Sequence, residues 1–345
     1  MRGRVRVLVV DDSAFARKVL REVLGRSARI EVVGAARDGL EALEMIAALR
    51  PDVVTLDLAM PGLDGLGVLR MLGGPGAPRV VISTAGGESL DVVAGLQAGA
   101  VDVVHKPTAL ATGRLYELGD ELVGKVLAAA DATARPVAAV VPLEAPAPPP
   151  SPRPATDKRI LVVGASTGGP SALTQLISAL PADFPLPVAL VLHIPVGYTE
   201  AFARRLDGAS ALDVVEAHEG LPLRAGLVVV ARAGVHLTLR ARDGHALAQL
   251  DLQPAASIHR PSVDELFLSA ARAFGPAVLA VVLTGMGDDG LVGSRAIHAA
   301  GGTILTEAES SCVVYGMPRC VHDAGLAAAE APIASMAALV LRHLA

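Results

Sequence analysis

Short runs of β-branched residues recur along the chain, each followed by a stretch whose apolar positions return every three or four residues. In the first third, Val5–Val10, Glu31–Ala36, Val53–Leu56, Val80–Ile82 and Val101–Val104 read as buried strands. Between the first of them, Ser13 opens a helix to about Leu24, and Gly39–Leu49 sets Leu40, Leu43, Ile46 and Ala47 on a helical repeat. The pattern restarts at Arg159–Val163, with a helix over Ser171–Leu180 and strands at Val188–Leu192, Val278–Leu283 and Thr303–Thr306. Strands alternating with helices predict parallel sheets covered on both faces, so two doubly wound α/β domains are expected. From Asp131 to Thr156 the periodicity stops and eight prolines appear, including Pro148, Pro149 and Pro150. Such a segment buries too little surface to offset its ordering entropy. Residues 131–157 are therefore expected to be an extended linker between domains at 1–130 and 158–345.

Composition narrows the function classes. Of 345 residues 52% are hydrophobic, and the mean hydropathy of +0.50 invites a membrane reading. No run of about 18 uncharged apolar residues occurs, which excludes a bilayer-spanning helix. Aromatics make up 2% and the net charge is −5, so neither a stacking platform nor a basic footprint for nucleic acid is present. The first ten residues run into a strand without a signal-peptide pattern, and a cytoplasmic protein is expected. Cys312 and Cys320 are too few for a disulfide framework and read as small packed residues.

In open α/β sheets ligands gather at the carboxyl ends of the strands. In the first domain those ends carry Asp11 and Asp12, Asp57, Ser83 and Lys106. Converging carboxylates suit Mg²⁺, and a carboxylate flanked by a cation and a hydroxyl can accept a phosphoryl group. The blocks Val9-Val10-Asp11-Asp12-Ser13, Leu56 to Pro61 with Asp64-Gly65, and Lys106-Pro107 closely resemble a response-regulator receiver domain over residues 4–125. The resemblance implies a flavodoxin-like fold, Asp57 as phosphoacceptor, and Mg²⁺ held by Asp11, Asp12, Asp57 and the Ala59 carbonyl. It further implies that Ser83 senses the phosphoryl group, with Thr84 as its neighbouring competitor, and that Lys106 pairs with it. A histidine kinase is the implied donor. One position departs: Val103 stands where the family has an aromatic switch residue.

In the second domain Gly164-Ala165-Ser166-Thr167-Gly168 fits G-x-S-x-G between a strand and a helix begun by Pro170. A turn of that kind lifts a serine nucleophile above the sheet, with helix N–H groups near a developing oxyanion. His193 follows the next strand, and Asp288 or Asp289 follows the strand after, so three triad members come from strand ends. The motif also admits a phosphate-cradling loop, although its spacing is not G-x-G-x-x-G and no G-K-[ST] follows. Gly164–Pro170, His193-Ile194-Pro195, His259–Asp264, Leu283–Gly290 and Ser311–Pro318 resemble the chemotaxis protein-glutamate methylesterases. The receiver–linker–esterase order resembles that family as a whole. That resemblance implies a Rossmann-like esterase domain hydrolysing glutamate γ-methyl esters on chemoreceptors, with deamidation of receptor glutamines. Ser166 is then the nucleophile, His193 the base and Asp289 its orienter, with Met286 and Thr167 amides at the oxyanion and no cofactor. Ala231-Arg232-Ala233-Gly234 departs from the family's Ala-Pro-Gly.

Two other readings stand beside this one. The second domain of a non-enzymatic response regulator would only bind a partner, and a nucleotide-binding protein would use the Gly164 loop for phosphate. Ser262-Val263-Asp264-Glu265 reads as a capping box after His259-Arg260-Pro261. It either braces the cleft or touches substrate. Tyr315 and Met317 read as packing residues.

Overall fold

The computed structural model describes residues 3–344, apart from 74–75, 87–88, 107–111, 133–156, 243–244 and 255–256. Pro107 and nearly all of the expected linker lie outside the described residues. The chain divides into two compact units, Met1–Pro136 and Val137–Ala345. No helix among the described residues is long and apolar enough to cross a membrane.

In the first unit, β1 (Val5–Val10), β2 (Ile30–Ala36), β3 (Val53–Leu56), β4 (Arg79–Thr84) and β5 (Asp102–His105) alternate with five helices. These are α1 (Ala14–Gly25), α2 (Gly39–Leu49), α3 (Gly65–Met71), α4 (Ser89–Gln97) and α5 (Thr112–Asp131). The strands form one parallel sheet in the order β2-β1-β3-β4-β5. Every residue of β3 is buried, as a strand covered on both faces requires. Helix starts are set locally: the side chains of Ser13, Asp38 and Asp64 accept from Ala16, Glu41 and Gly67 amides. Strand order reverses direction at β1, so the crevice opens between the ends of β1 and β3.

The second unit runs β6 (Ile160–Ala165), α6 (Gly169–Ser178), β7 (Val188–Leu192), α7 (Thr199–Asp207), β8 (Asp213–Glu216), β9 (Pro222–Leu223), β10 (Leu227–Val230), β11 (His236–Arg242) and β12 (His245–Asp251). It continues with α8 (Val263–Phe274), β13 (Val278–Val282), α9 (Leu291–Ala299), β14 (Thr303–Glu307), α10 (Met317–Asp323), β15 (Ala329–Ala331) and α11 (Ile333–Arg342). Seven strands make a parallel sheet ordered β15-β14-β13-β6-β7-β10-β8. A separate antiparallel sheet, β11-β12-β9, interrupts the doubly wound pattern.

Helix α8 couples these two sheets. Val263, Leu266, Phe267, Ala270, Ala271 and Phe274 recur at helical spacing and are all buried. They share one core with Val162 and Val282 of the large sheet and Leu237 and Leu239 of β11. The Leu239 amide also donates to the Ser269 hydroxyl at 3.0 Å. Burying each of Val263, Leu266, Phe267 and Phe274 stabilises the fold by about 1.5–3 kcal/mol, and Phe267→Ala would cost about 3–5 kcal/mol through the cavity it leaves. This packing fixes the N-terminus of α8 above the carboxyl edge of the large sheet.

Candidate active site

The receiver-like unit gathers its acids by strand register. Val10 pairs with Leu56 across β1 and β3, so Asp11 and Asp57 emerge side by side. One oxygen from each of Asp11, Asp12 and Asp57 falls within 4.8 Å of the others. Lys106, after β5, reaches Asp11 Oδ2 and Asp57 Oδ2, both at 2.7 Å. Burial pushes the Asp57 carboxyl above its ordinary pKa, more than Lys106 pulls it down. Burial works against the Lys106 ammonium, yet its bonds to Asp11 and Asp57 outweigh that and raise its pKa. Three hard oxygen donors gathered in this space are of the kind that would hold Mg²⁺. The Ala59 amide donates to Asp57 Oδ1 at 3.4 Å, which places the Ala59 loop against the same carboxylate. Ser83 and Thr84 are both buried; the Ser83 hydroxyl has no hydrogen-bond partner among the described residues, whereas Thr84 Oγ1 accepts from Gly86 N–H. Val103 is buried, and its carbonyl accepts from Lys125 Nζ at 2.8 Å.

In the second unit, β6 is flanked by β13 on one side and β7 on the other. Ser166, Asp289 and His193 follow these three neighbouring strands. The His193 amide donates to Ala165 O at 3.1 Å, continuing the ladder to the level of the serine. Glycines on either side of Ser166 shape the nucleophile turn. Arg50 is the one residue other than glycine at positive φ among the described residues, so Ser166 is not left-handed and Gly168 (φ 79°) makes the reversal. Gly164 serves a close approach: a Cβ there would lie 2.3 Å from Val263 Cγ1, at the start of α8.

That approach matters because α8 holds the acid. Asp289 Oδ2 accepts from His193 Nε2 and Val263 N–H, both at 2.8 Å. Its Oδ1 accepts from the Ser262 hydroxyl and the Asp264 N–H, both at 2.9 Å. Burial alone would raise the Asp289 pKa, but His193 and the amides at the helix start hold it well below the usual carboxylate range. An ionised Asp289 accepts the Nε2 proton and leaves the Nδ1 lone pair free to act as base; Nδ1 is buried and has no hydrogen-bond partner among the described residues. Asp288 is exposed, so the two candidate acids separate cleanly. The Ser166 amide is already bonded to Thr284 O at 3.0 Å. The Met286 amide has no partner among the described residues and remains a candidate oxyanion donor, with Thr167 beside the nucleophile.

Several contributors escape sequence reasoning. The His259 ring stacks on His193, with centroids 4.1 Å apart and an 18° interplanar angle, although the sequence had left bracing and substrate contact open for that block. Asp264 accepts from Gly290 and Gly293 amides at 3.0 and 2.7 Å, so Asp289 caps α8 while Asp264 caps α9. The capping box was the available signal, but nothing local shows that the cap reaches across helices. In the departing loop, Arg232 is exposed and the Gly234 amide donates to Arg260 O at 3.0 Å, tying it to the His259 segment. Met317 and Cys312 are buried, and burial pushes the Cys312 thiol far above its ordinary pKa, leaving it unreactive.

A serine, an imidazole and a capped carboxylate at one sheet edge make a serine-hydrolase constellation, carried by a chain whose other unit has a phosphoacceptor-type acid cluster. Residues 161–340 match the family model for CheB methylesterase, and residues 7–115 match the response regulator receiver domain. A protein-glutamate methylesterase/protein-glutamine glutaminase 5 of Myxococcus xanthus is 62% identical over 98% of each chain. A protein-glutamate methylesterase/protein-glutamine glutaminase of Thermotoga maritima is 37% identical over 94% of each. The crystal structure of the Thermotoga maritima CheB methylesterase catalytic domain overlays with TM-score 0.53 at 38% identity, covering 54% of this chain and 98% of that one. The chain belongs to the CheB methylesterase family.

Proposed function

We propose that this protein hydrolyses glutamate γ-methyl esters on chemoreceptors, releasing methanol, and deamidates receptor glutamines by the same route. The observation that carries this reading is the His193–Asp289 pair at 2.8 Å, seated on the start of α8 at the strand end next to Ser166. Ser166 Oγ attacks the γ-carbonyl as His193 Nδ1 takes its proton. The Met286 amide, with the Thr167 amide as second donor, stabilises the oxyanion. The imidazolium then protonates the departing methanol, or ammonia from glutamine, and water attacking the acyl-enzyme repeats the sequence. Asp289 keeps the proton on Nε2 throughout. None of these steps calls on a cofactor.

The receiver-like unit supplies control. A histidine kinase or small phosphodonor phosphorylates Asp57. Asp11, Asp12, Asp57 and the Ala59 carbonyl would hold Mg²⁺, which would supply positive charge for the phosphoryl oxygens. Lys106 pairs with the phosphoryl group and Ser83, or its neighbour Thr84, senses it. The working boundaries are a receiver at 1–130, a Pro-rich linker at 131–157 and an esterase at 158–345, in a cytoplasmic protein that binds no nucleic acid and does not insert into membranes. A fluorophosphonate probe tests the chemistry directly. It should label Ser166 stoichiometrically in the full chain; labelling elsewhere, or none in folded protein, would remove the nucleophile.

A further inference from the structure

Glu307 ends β14, two strands from the nucleophile's own strand, and is 1% exposed. Its two oxygens hold different segments. Oε2 accepts from the Thr284 amide and Oε1 from the Ser311 hydroxyl, each at 2.8 Å, and the Ser311 oxygen in turn accepts from Ile333 N–H at 2.9 Å. Thr284 is a hub. Its carbonyl accepts from Ser166 N–H at 3.0 Å, its hydroxyl donates to Thr167 O at 3.0 Å, and the same hydroxyl accepts from Val314 N–H at 2.9 Å. The next residue, Gly285, donates to Val314 O and accepts from Gly316 and Met317 amides. Met286 follows directly. Thr284 therefore fixes both the turn that carries Ser166 and the loop that carries the Met286 amide, and Glu307 fixes Thr284.

We propose that Glu307 is a positioning residue for the esterase reaction, holding Thr284 so that Ser166 and the Met286 amide keep their transition-state spacing. The proposal rests on the serine-esterase reading of this site. A buried carboxylate is costly unless its acceptor capacity is used. Here burial pushes the carboxyl up, and the Thr284 amide and Ser311 hydroxyl work against that rise. Losing the carboxylate strands the Thr284 N–H in the interior and lets the hub drift. A shift of about 1 Å at a reacting centre costs on the order of 10²-fold in rate.

The test uses the full-length chain, with methanol release from methylated receptor membranes as activity and fluorophosphonate titration to count competent sites. Glu307→Ala should lower kcat per titrated site about ten- to a hundredfold with KM within twofold. Glu307→Gln, whose carbonyl oxygen still accepts from Thr284 and whose amide can donate to Ser311, should stay within about threefold of wild type. Glu307→Asp, which keeps the carboxylate but shortens its reach to the Thr284 amide, provides a second approach should Glu307→Ala not fold, and should also slow turnover per site. A purely structural role would reduce the number of titrated sites and leave kcat per site unchanged. That result in Glu307→Ala, wild-type turnover in Glu307→Asp, or a Gln variant as slow as Ala overturns the proposal. A Ser166→Ala control that still releases methanol would instead overturn the esterase reading itself.

Discussion

The two acid sites use the same place in a doubly wound sheet and solve opposite electrostatic problems. In the esterase unit, Asp289 is satisfied by four protein donors and its pKa falls. In the receiver unit, Asp57 is buried beside Asp11 with Lys106 between them, and its pKa rises. A fully capped carboxylate is pre-organised: it orients an imidazole and needs no rearrangement during turnover. The crowded acids of the receiver gain from any cation, and a phosphoryl group on Asp57 would change the charge that Lys106 faces. On the proposed function, one site stays constant through a reaction and the other changes state.

Removing the constant element should have the largest effect. Asp289→Asn leaves the imidazole without its anionic partner, and losses of roughly 10³- to 10⁴-fold in kcat are expected, about 4–5 kcal/mol of barrier. Asp288→Asn, at an exposed position, should remain within a few-fold. Steady-state kinetics on both purified variants check this, and the reverse order would reassign the triad.

Next comes the switching element. With Mg²⁺ and a small phosphodonor, methanol release should rise; a tenfold rise requires only about 1.4 kcal/mol of coupling between units. Asp57→Asn should remove that rise. Ser83→Ala and Thr84→Ala, assayed separately, rank the two hydroxyls: the sensing one should blunt the rise, and its neighbour should leave it intact. A rise that persists in Asp57→Asn would mean that phosphorylation acts elsewhere.

Smallest is a pH effect confined to the esterase unit. Burial, and to a lesser degree the nearby Asp289 and Asp288 charges, push Asp264 up to about 6, against a pull from the Gly293 and Gly290 amides. The folded state therefore takes up a proton between pH 6 and 4 that the unfolded chain does not. This carboxylate's contribution becomes more favourable as pH falls through that window. Asp289 has the opposite sign, its stabilisation being present above about pH 4 and lost below. Melting temperatures of wild type and Asp264→Asn across pH 4–7 separate the two, since the variant should lose the dependence between 4 and 6. An unchanged slope would contradict that assignment.

Legibility followed how local each signal was. The strand ends carrying Asp11, Asp57, Ser166 and His193 were visible because a fully buried strand ends abruptly at its first polar residue. The antiparallel β11-β12 pair was missed, although Leu237-Thr238-Leu239 alternates and Asp243-Gly244 is a strong hairpin dipeptide. In β12, Ala246, Leu247 and Ala248 stand in a row and blur the period-two alternation. Glu307 and His259 were hidden for a different reason. Their partners lie 23 and 66 residues away, and no periodicity links a carboxylate at a strand end to an amide on another strand. Asp264 was seen only as part of a capping box, since sequence shows the cap of one helix and not the interlock of two.

On the proposed function, Ser166 esterolysis answers to the state of Asp57. Methanol release from methylated receptor membranes, measured on the full chain with and without Mg²⁺ and phosphodonor, tests both halves at once. Wild type should release methanol and accelerate on phosphorylation, Ser166→Ala should release almost none in either condition, and Asp57→Asn should not respond to the donor. Methanol release by Ser166→Ala at the wild-type rate, or a wild type indifferent to phosphorylation, would contradict the account.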